Sequence, residues 1–255
     1  MALGAAVYIS PPTPFQSPGK GSGGGLWSPI SCTLIYSATE AVLVDTPITI
    51  KQTQERIAPK RKLSYIYITH GHGDHFFGLP VLVQRFPEAK PVATAATVEH
   101  MKDQIEAKAF LTQWESRFPG QIAQPFVLAQ PLPASGEFKL QDKYSFQPVE
   151  VHQMLFEANT AAKREEWIAA VEKIEALDPL YVVPVHCQEG EIMGRWHLAN
   201  TKQYIRDFAK VLEGKPKSPR EIVEAMTKLY PDRYNTGALI MGAMGYFQAL
   251  KQSRI

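Results

Sequence analysis

Short apolar runs and longer segments with apolar positions three or four apart alternate along the chain, and their order outlines the fold. A first strand is expected near Ala6–Ser10, followed by PPTPFQSPGKGSGGG (11–25), whose Pro, Gly and Ser content predicts a mobile loop between strands. CTLIYSATEAVLVDTP (32–47) carries two aliphatic runs around a polar turn at Ala38–Glu40. It predicts a hairpin whose second strand ends in Asp45. ITIKQTQERIA (48–58) reads as helix, LSYIYIT (63–69) as strand and FFGLPVLVQRFPEA (76–89) as helix again. Further on, AATVEHMKDQIEAKAFLTQWESRF (95–118) and AAKREEWIAAVEKIEAL (161–177) have helical spacing, the second capped by Asn159 or Thr160 and stopped before Pro179. LYVVPVHC (180–187) predicts a short buried strand carrying His186 at its end. SPRE (218–221) fits a capping box, with Ser218 at the N-cap, opening a helix to about Tyr230. The whole is an α/β pattern without internal repeats.

Composition narrows the classes. At 255 residues with 45% hydrophobic content the chain supports one sizeable core, so a single domain over 1–255 is expected, with a helical part at 198–255. Its 27 basic and 25 acidic residues leave a formal charge of +2 and no basic stripe interleaved with aromatics, which argues against nucleic acid as a partner. No stretch approaches the roughly 20 apolar residues that span a bilayer, and the first ten residues lack a secretory pattern. Two cysteines, Cys32 and Cys187, form no disulfide framework. A cytoplasmic protein acting on a small molecule, without a membrane partner, is the expectation; oligomeric state is left open.

The chemistry concentrates in YIYITHGHGDHFFG (65–78), where three histidines and an aspartate follow a strand within six positions. His70 and His72, two apart in an extended loop, converge on one side, while Asp74 and His75 turn toward an adjacent point. Imidazole nitrogens and a carboxylate oxygen are ligand types that zinc takes, and a catalytic site keeps one position open for water. Gly71 and Gly73 let this backbone turn tightly without crowding an ion.

Thr69-His70-Gly71-His72-Gly73-Asp74-His75 resembles the T-H-x-H-x-D-H signature of the metallo-β-lactamase superfamily. VLVDTP upstream and VVPVHC downstream agree with it, and the resemblance runs from about Trp27 to Tyr230. It implies an αββα sandwich with a zinc or di-metal site at one edge of the sheets, and hydrolysis of lactams, lactones, thioesters or phosphoesters. Carried over by position, it implies that His70 and His72 bind a first ion, and Asp74, His75 and His186 a second.

The resemblance also implies another histidine on the first ion and an aspartate bridging both, and neither is found between Phe77 and Leu177. The remaining histidines there are His100 and His152, and the aspartates are Asp103 and Asp142. His100 and Asp103 read as a solvated helical face, and Asp142 as a turn residue. The junction near Val149–His152 therefore reads as the loss of a strand pair, with His152 and Glu150 as substitute ligands or, in the preferred reading, pocket-lining and solvent-facing groups. Asp45 is expected to orient a ligand or the signature loop, and Cys187 to be a small buried residue. One zinc ion rather than two is expected per chain. The functional expectation is a metal-dependent hydrolase of a small cyclic amide or ester, with Asp74 orienting a metal-activated water. Its alternatives are a thioester hydrolase and a metal-binding pseudoenzyme.

Overall fold

In the computed structural model, which describes residues 3–17, 23–56, 61–141, 143–149 and 154–252, the apolar runs of the first half become strands. These are β1 (Gly4–Ile9), β2 (Thr13–Phe15), β3 (Gly25–Trp27), β4 (Ser31–Tyr36) and β5 (Glu40–Val44). After helix α1 (Ile50–Arg56) come β6 (Lys62–Tyr67), α2 (Leu79–Arg85), β7 (Lys90–Ala93), α3 (Ala95–Ile105), the short α4 (Ala107–Phe110) and β8 (Gln130–Pro131). Six of the strands form one sheet in the order β1-β4-β5-β6-β7-β8. The first two pairings are antiparallel, with β4 and β5 joined as a hairpin, and the last three are parallel, each crossover carrying helix. The parallel strands end on one edge, where open α/β sheets place their ligands.

Alternation along β5 divides two apolar layers. Ala41 and Leu43 enter the main core with Ile66, Ile68, Phe76, Phe77, Leu79, Leu82 and Met101. Val42 and Val44 face the other way, toward a hairpin of β9 (Phe138–Leu140) and β10 (Tyr144–Phe146). A register shift between Ala41 and Val42 lets Leu63 face the main core while Tyr65 and Tyr67 face the hairpin. Tyr67 stacks on Phe138, and Phe138 on Phe146, at centroid distances of 5.5 and 4.7 Å. The expected mixed α/β fold is present. The hairpin packs on this second face of the sheet.

Although chain length favours one domain, contacts gather into two compact units: Met1–Pro148 with Val185–Gly190, and Val149–Pro184 with Glu191–Ile255. The second unit contains α5 (Ala161–Glu175), α6 (Trp196–Glu213), α7 (Pro219–Leu229) and α8 (Thr236–Gln252). Thr160 and Ser218 cap α5 and α7 through their side chains, as their sequences predict. Phe208, Leu212, Ile222, Met226, Leu239 and Ala243 form its core with Leu155. The Gly- and Met-rich tail packs there as α8, with Gly242 so close to Leu155 that an added Cβ would stand 2.5 Å from that residue's Cβ.

Two local expectations change. Segment 11–25 is a loop only in part, because β2 pairs with β3 and buries aromatic rings: Trp27 lies 5.4 Å from Trp114 and 5.6 Å from Phe118. Residues 180–187 form no strand. Pro184 has no N–H to give a ladder, Leu180 and Tyr181 are 80% and 76% exposed, and a backbone bond from the Ser31 N–H to the Val185 carbonyl at 2.9 Å ties the segment beside His186 to β4. No helix among the described residues is long and apolar enough to cross a membrane.

Candidate metal centre

The signature begins where β6 ends, so its loop emerges at the carboxyl edge of the parallel strands beside the end of β5. Asp45, the residue after β5, has φ of 58°, a left-handed conformation that Asp tolerates better than most side chains. This turn buries its carboxylate completely and aims it at the loop. Asp45 Oδ1 accepts from the Thr69 N–H at 2.8 Å. Its Oδ2 accepts from the Thr69 hydroxyl at 2.7 Å and from His75 Nδ1 at 3.0 Å. Because the Thr69 hydrogen is spent on Asp45, Thr69 Oγ1 must accept from His70 Nδ1, 3.0 Å away. One carboxylate thereby fixes the tautomers of two histidines, leaving Nε2 of each with its lone pair outward.

His186 is set by the same logic from another part of the chain. Its Nδ1 lies 2.8 Å from the Pro29 carbonyl, which can only accept, and 3.1 Å from Ser28 Oγ. Nδ1 is therefore the protonated nitrogen, and Nε2 carries the lone pair. That Nε2 stands 3.2 Å from His75 Nε2, and Asp74 Oδ2 lies 3.7 and 3.8 Å from the two. Cys187 turns away and meets Ser31 Oγ at 2.9 Å, the small buried residue its position suggests.

These three atoms fit a metal. Around a tetrahedral zinc with ligands at about 2.0–2.2 Å, ligand atoms stand roughly 3.3–3.6 Å apart, close to the spacing of Asp74, His75 and His186. The two Nε2 atoms stand 3.2 Å apart in a largely buried place beside a carboxylate, where a shared proton or a metal ion supplies the positive charge between them. Electrostatics express the same demand for positive charge. Burial pushes His75 down, but the carboxylates of Asp74 and Asp45 outweigh it and hold the imidazole above its ordinary value. For Asp74 burial acts upward and is overcome by His75, His186, His72 and the Trp27 N–H, so the carboxyl lies low. His186 is lowered by burial and by His75. His70 is pushed well down by burial and by the imidazoles around it.

The rings form a continuous row. Centroids are 4.9 Å apart from His186 to His75, 4.1 Å from His75 to His70, 4.8 Å from His70 to His72, and 5.0 Å from His72 to His100. The structure thus gathers His70, His72, Asp74, His75 and His186, whereas Glu150 and His152 lie outside the described residues. His100 is a correction. It does not sit on a solvated face; it is half-buried against His72, while its neighbours Glu99, Lys102 and Asp103 on α3 are exposed.

Trp27 is a further residue that the sequence does not point to. Its Nε1–H donates to Asp74 Oδ2 at 2.9 Å from a ring lodged among Phe15, Trp114 and Phe118. The pair is 47 positions apart, and no local pattern links them.

A family model described as the metallo-beta-lactamase superfamily matches residues 25–143. The metallo-beta-lactamase family protein TTHA1429 from Thermus thermophilus is similar in structure, with a TM-score of 0.58 and 15% identity over 96% of this chain and 94% of its own. A beta-lactamase domain protein from Burkholderia ambifaria gives a TM-score of 0.57 and 14% identity over 94% of this chain and 85% of its own. The metallo-beta-lactamase FIM-1 from Pseudomonas aeruginosa, in its mono-zinc form, gives 0.50 and 14% over 80% of this chain and 92% of its own. At these identities the likeness is one of fold. No curated protein matches the chain in sequence.

Proposed function

Because residues 25–143 belong to the metallo-β-lactamase superfamily, whose members are metal-dependent hydrolases, we propose that this protein is a zinc hydrolase of a small cyclic amide or ester. The observation that carries this reading is the convergence of His75 Nε2, His186 Nε2 and Asp74 Oδ2 within 3.2–3.8 Å, each imidazole held from behind by an acceptor on Nδ1. That donor set, two neutral imidazoles and a carboxylate with a position left open, is of the catalytic zinc type. Zinc bound there supplies Lewis acidity and lowers the pKa of a water to about 7.

The chain's own residues do the rest. Asp45 and the Pro29 carbonyl keep His75 and His186 in the tautomer that ligates. Asp74 holds its carboxylate ionised at neutral pH and orients the attacking water through a hydrogen bond. Trp27 pins Asp74 Oδ2 from one side, so the carboxylate has one resting orientation. Aromatic packing of Trp27 on Trp114 and Phe118 makes that pin rigid.

A panel of a β-lactam, a lactone and a thioester, assayed with wild type, with chelator-treated protein and with Asp74→Ala, tests the reading. Hydrolysis of a lactam or lactone that both treatments reduce by about 10²–10⁴-fold supports it. Preference for the thioester replaces the substrate class, and hydrolysis that survives chelation at the wild-type rate removes the metal mechanism.

A further inference from the structure

We propose that a basic cleft at the amino ends of the parallel strands, on the sheet edge opposite the signature loop, binds a small phosphate monoester through Arg61 and Arg85. The signature follows the end of β6, whereas Arg61 precedes its start and Arg85 closes α2. The six residues of β6, about 20 Å at ~3.3 Å each, lie between the cleft and the metal centre, and no residue is shared.

Three observations carry it. The cleft has a volume of about 220 Å³, far more than a bound water needs, and the buried Leu63 and Ala89 and the half-buried Phe86 are among its walls. Second, its charges are unbalanced. Arg61, Lys62 and Arg85 line it against the carboxylate of Glu88, which stands 3.4 Å from Lys62 and leaves the two guanidinium groups over. Third, both guanidiniums rest on aromatic faces, Arg61 4.3 Å from the Tyr36 ring centroid and Arg85 5.3 Å from that of Phe86. Arg85 also reaches the Gln54 carbonyl at 3.5 Å, the limit of a hydrogen bond. Arg61 Nε is buried without a hydrogen-bond partner among the described residues, so this cation is partly stripped of water and its charge is uncompensated.

The chemistry selects the ligand. A guanidinium lying on a ring has its plane fixed and offers its N–H edge, the fork that pairs with phosphate or carboxylate through two parallel hydrogen bonds. Two such forks match a phosphate monoester, with about −1.5 to −2 charge at pH 7 and three strong acceptor oxygens, better than a monovalent carboxylate. Leu63, Ala89 and Phe86 give the organic substituent an apolar wall. Arg85 sits in the last turn of α2 and offsets the negative carbonyl end of that helix, so the uncompensated charge lies chiefly on Arg61. A bound ester ties the start of β6 to the end of α2.

Calorimetric titration of the full chain with phenyl phosphate, inorganic phosphate and benzoate, in chelator-stripped and in zinc-loaded protein, tests the proposal. Stripped protein should bind one equivalent of phenyl phosphate, more tightly than either other probe, keep that equivalent when zinc is loaded, and lose affinity as salt rises. Arg61→Gln and Arg85→Gln should each weaken it by about 10–100-fold, the cost of a hydrogen bond to a charged group, with Arg61→Gln the larger. Arg85 is an exposed side chain, so its variant keeps the test decisive if Arg61→Gln, which also loses packing on Tyr36, is unstable. Phenyl phosphate binding confined to the zinc-loaded form places the ester on the metal and overturns this inference, leaving the zinc hydrolase standing. Equal affinity for inorganic phosphate or benzoate, wild-type affinity in Arg85→Gln, or no binding at millimolar phenyl phosphate would overturn it as well.

Discussion

Replacing Asp45 by Asn changes no atom that would touch an ion, yet it should disable the centre. The substitution is nearly isosteric, and Asn accepts the left-handed φ of 58° as readily as Asp, so backbone strain does not enter. What changes is donor arithmetic. The carboxylate accepts three hydrogen bonds, from the Thr69 N–H, the Thr69 hydroxyl and His75 Nδ1. An amide oxygen placed at Oδ2 leaves the new NH₂ facing the Thr69 N–H. Placed at Oδ1, it turns the NH₂ toward His75 Nδ1 and drives the proton to Nε2, where it blocks the lone pair that faces His186. Either arrangement loses at least one hydrogen bond to a charged group, a contribution of about 1.5–3 kcal/mol. If that loss is felt on binding, zinc affinity falls by roughly 10–100-fold, the range typical of an outer-shell change and worth about 1.4–2.8 kcal/mol. Competition with a chromophoric chelator measures the affinity, and ¹⁵N NMR of the imidazoles reports the tautomer of His75. Wild-type affinity in Asp45→Asn with His75 still protonated on Nδ1 would refute the reasoning.

Other consequences follow from the same contacts. Trp27→Phe keeps an aromatic ring beside Trp114 and removes the N–H on Asp74 Oδ2, so the Asp74 carboxyl should titrate higher and zinc should bind several-fold more weakly, read by carboxyl ¹³C NMR and chelator competition. Gly71→Ala forces a methyl against His100 Cβ and the Met101 backbone, and an overpacking cost of about 1–3 kcal/mol should appear as a lower thermal midpoint. In metal-free protein the carboxylates hold a proton on His75 above the ordinary histidine range, and zinc must displace it. Affinity should therefore rise with pH through that range and level off above it, with proton uptake by buffer visible in calorimetry; an affinity independent of pH between about 5 and 8 would contradict the assignment. The sign for stability is the same group seen without metal. A raised folded-state value stabilises the metal-free fold below the unfolded-state pKa, and that contribution is lost as pH rises through the folded-state value.

The signature loop is legible because its donors are contiguous: glycines and alternating imidazoles sit within seven residues just after a strand, and local geometry makes them converge. Asp45 is legible for a related reason, since a strand ending in Asp beside a parallel neighbour must deliver that carboxylate to the same edge. Trp27, Ser28 and Pro29 are not, because their partners Asp74 and His186 are 47, 158 and 157 positions away, and nothing in a Gly-rich neighbourhood signals such a contact. His100 is misread for a different reason. Helical spacing identifies the buried face of α3 through Val98 and Met101, but it cannot tell that the flank beside them meets a glycine on the signature loop. The strand expected at 180–187 fails at Pro184, where an apolar run carries the composition of a strand without the N–H that a ladder needs.

The most direct test of the central claim is a crystal of the zinc-loaded protein with anomalous data collected on both sides of the zinc absorption edge. The account predicts an anomalous peak within about 2.0–2.2 Å of His75 Nε2, His186 Nε2 and Asp74 Oδ2, with His75 Nδ1 on Asp45 and His186 Nδ1 on the Pro29 carbonyl. Zinc bound elsewhere on the chain, or no peak between those three atoms at full loading, would contradict it.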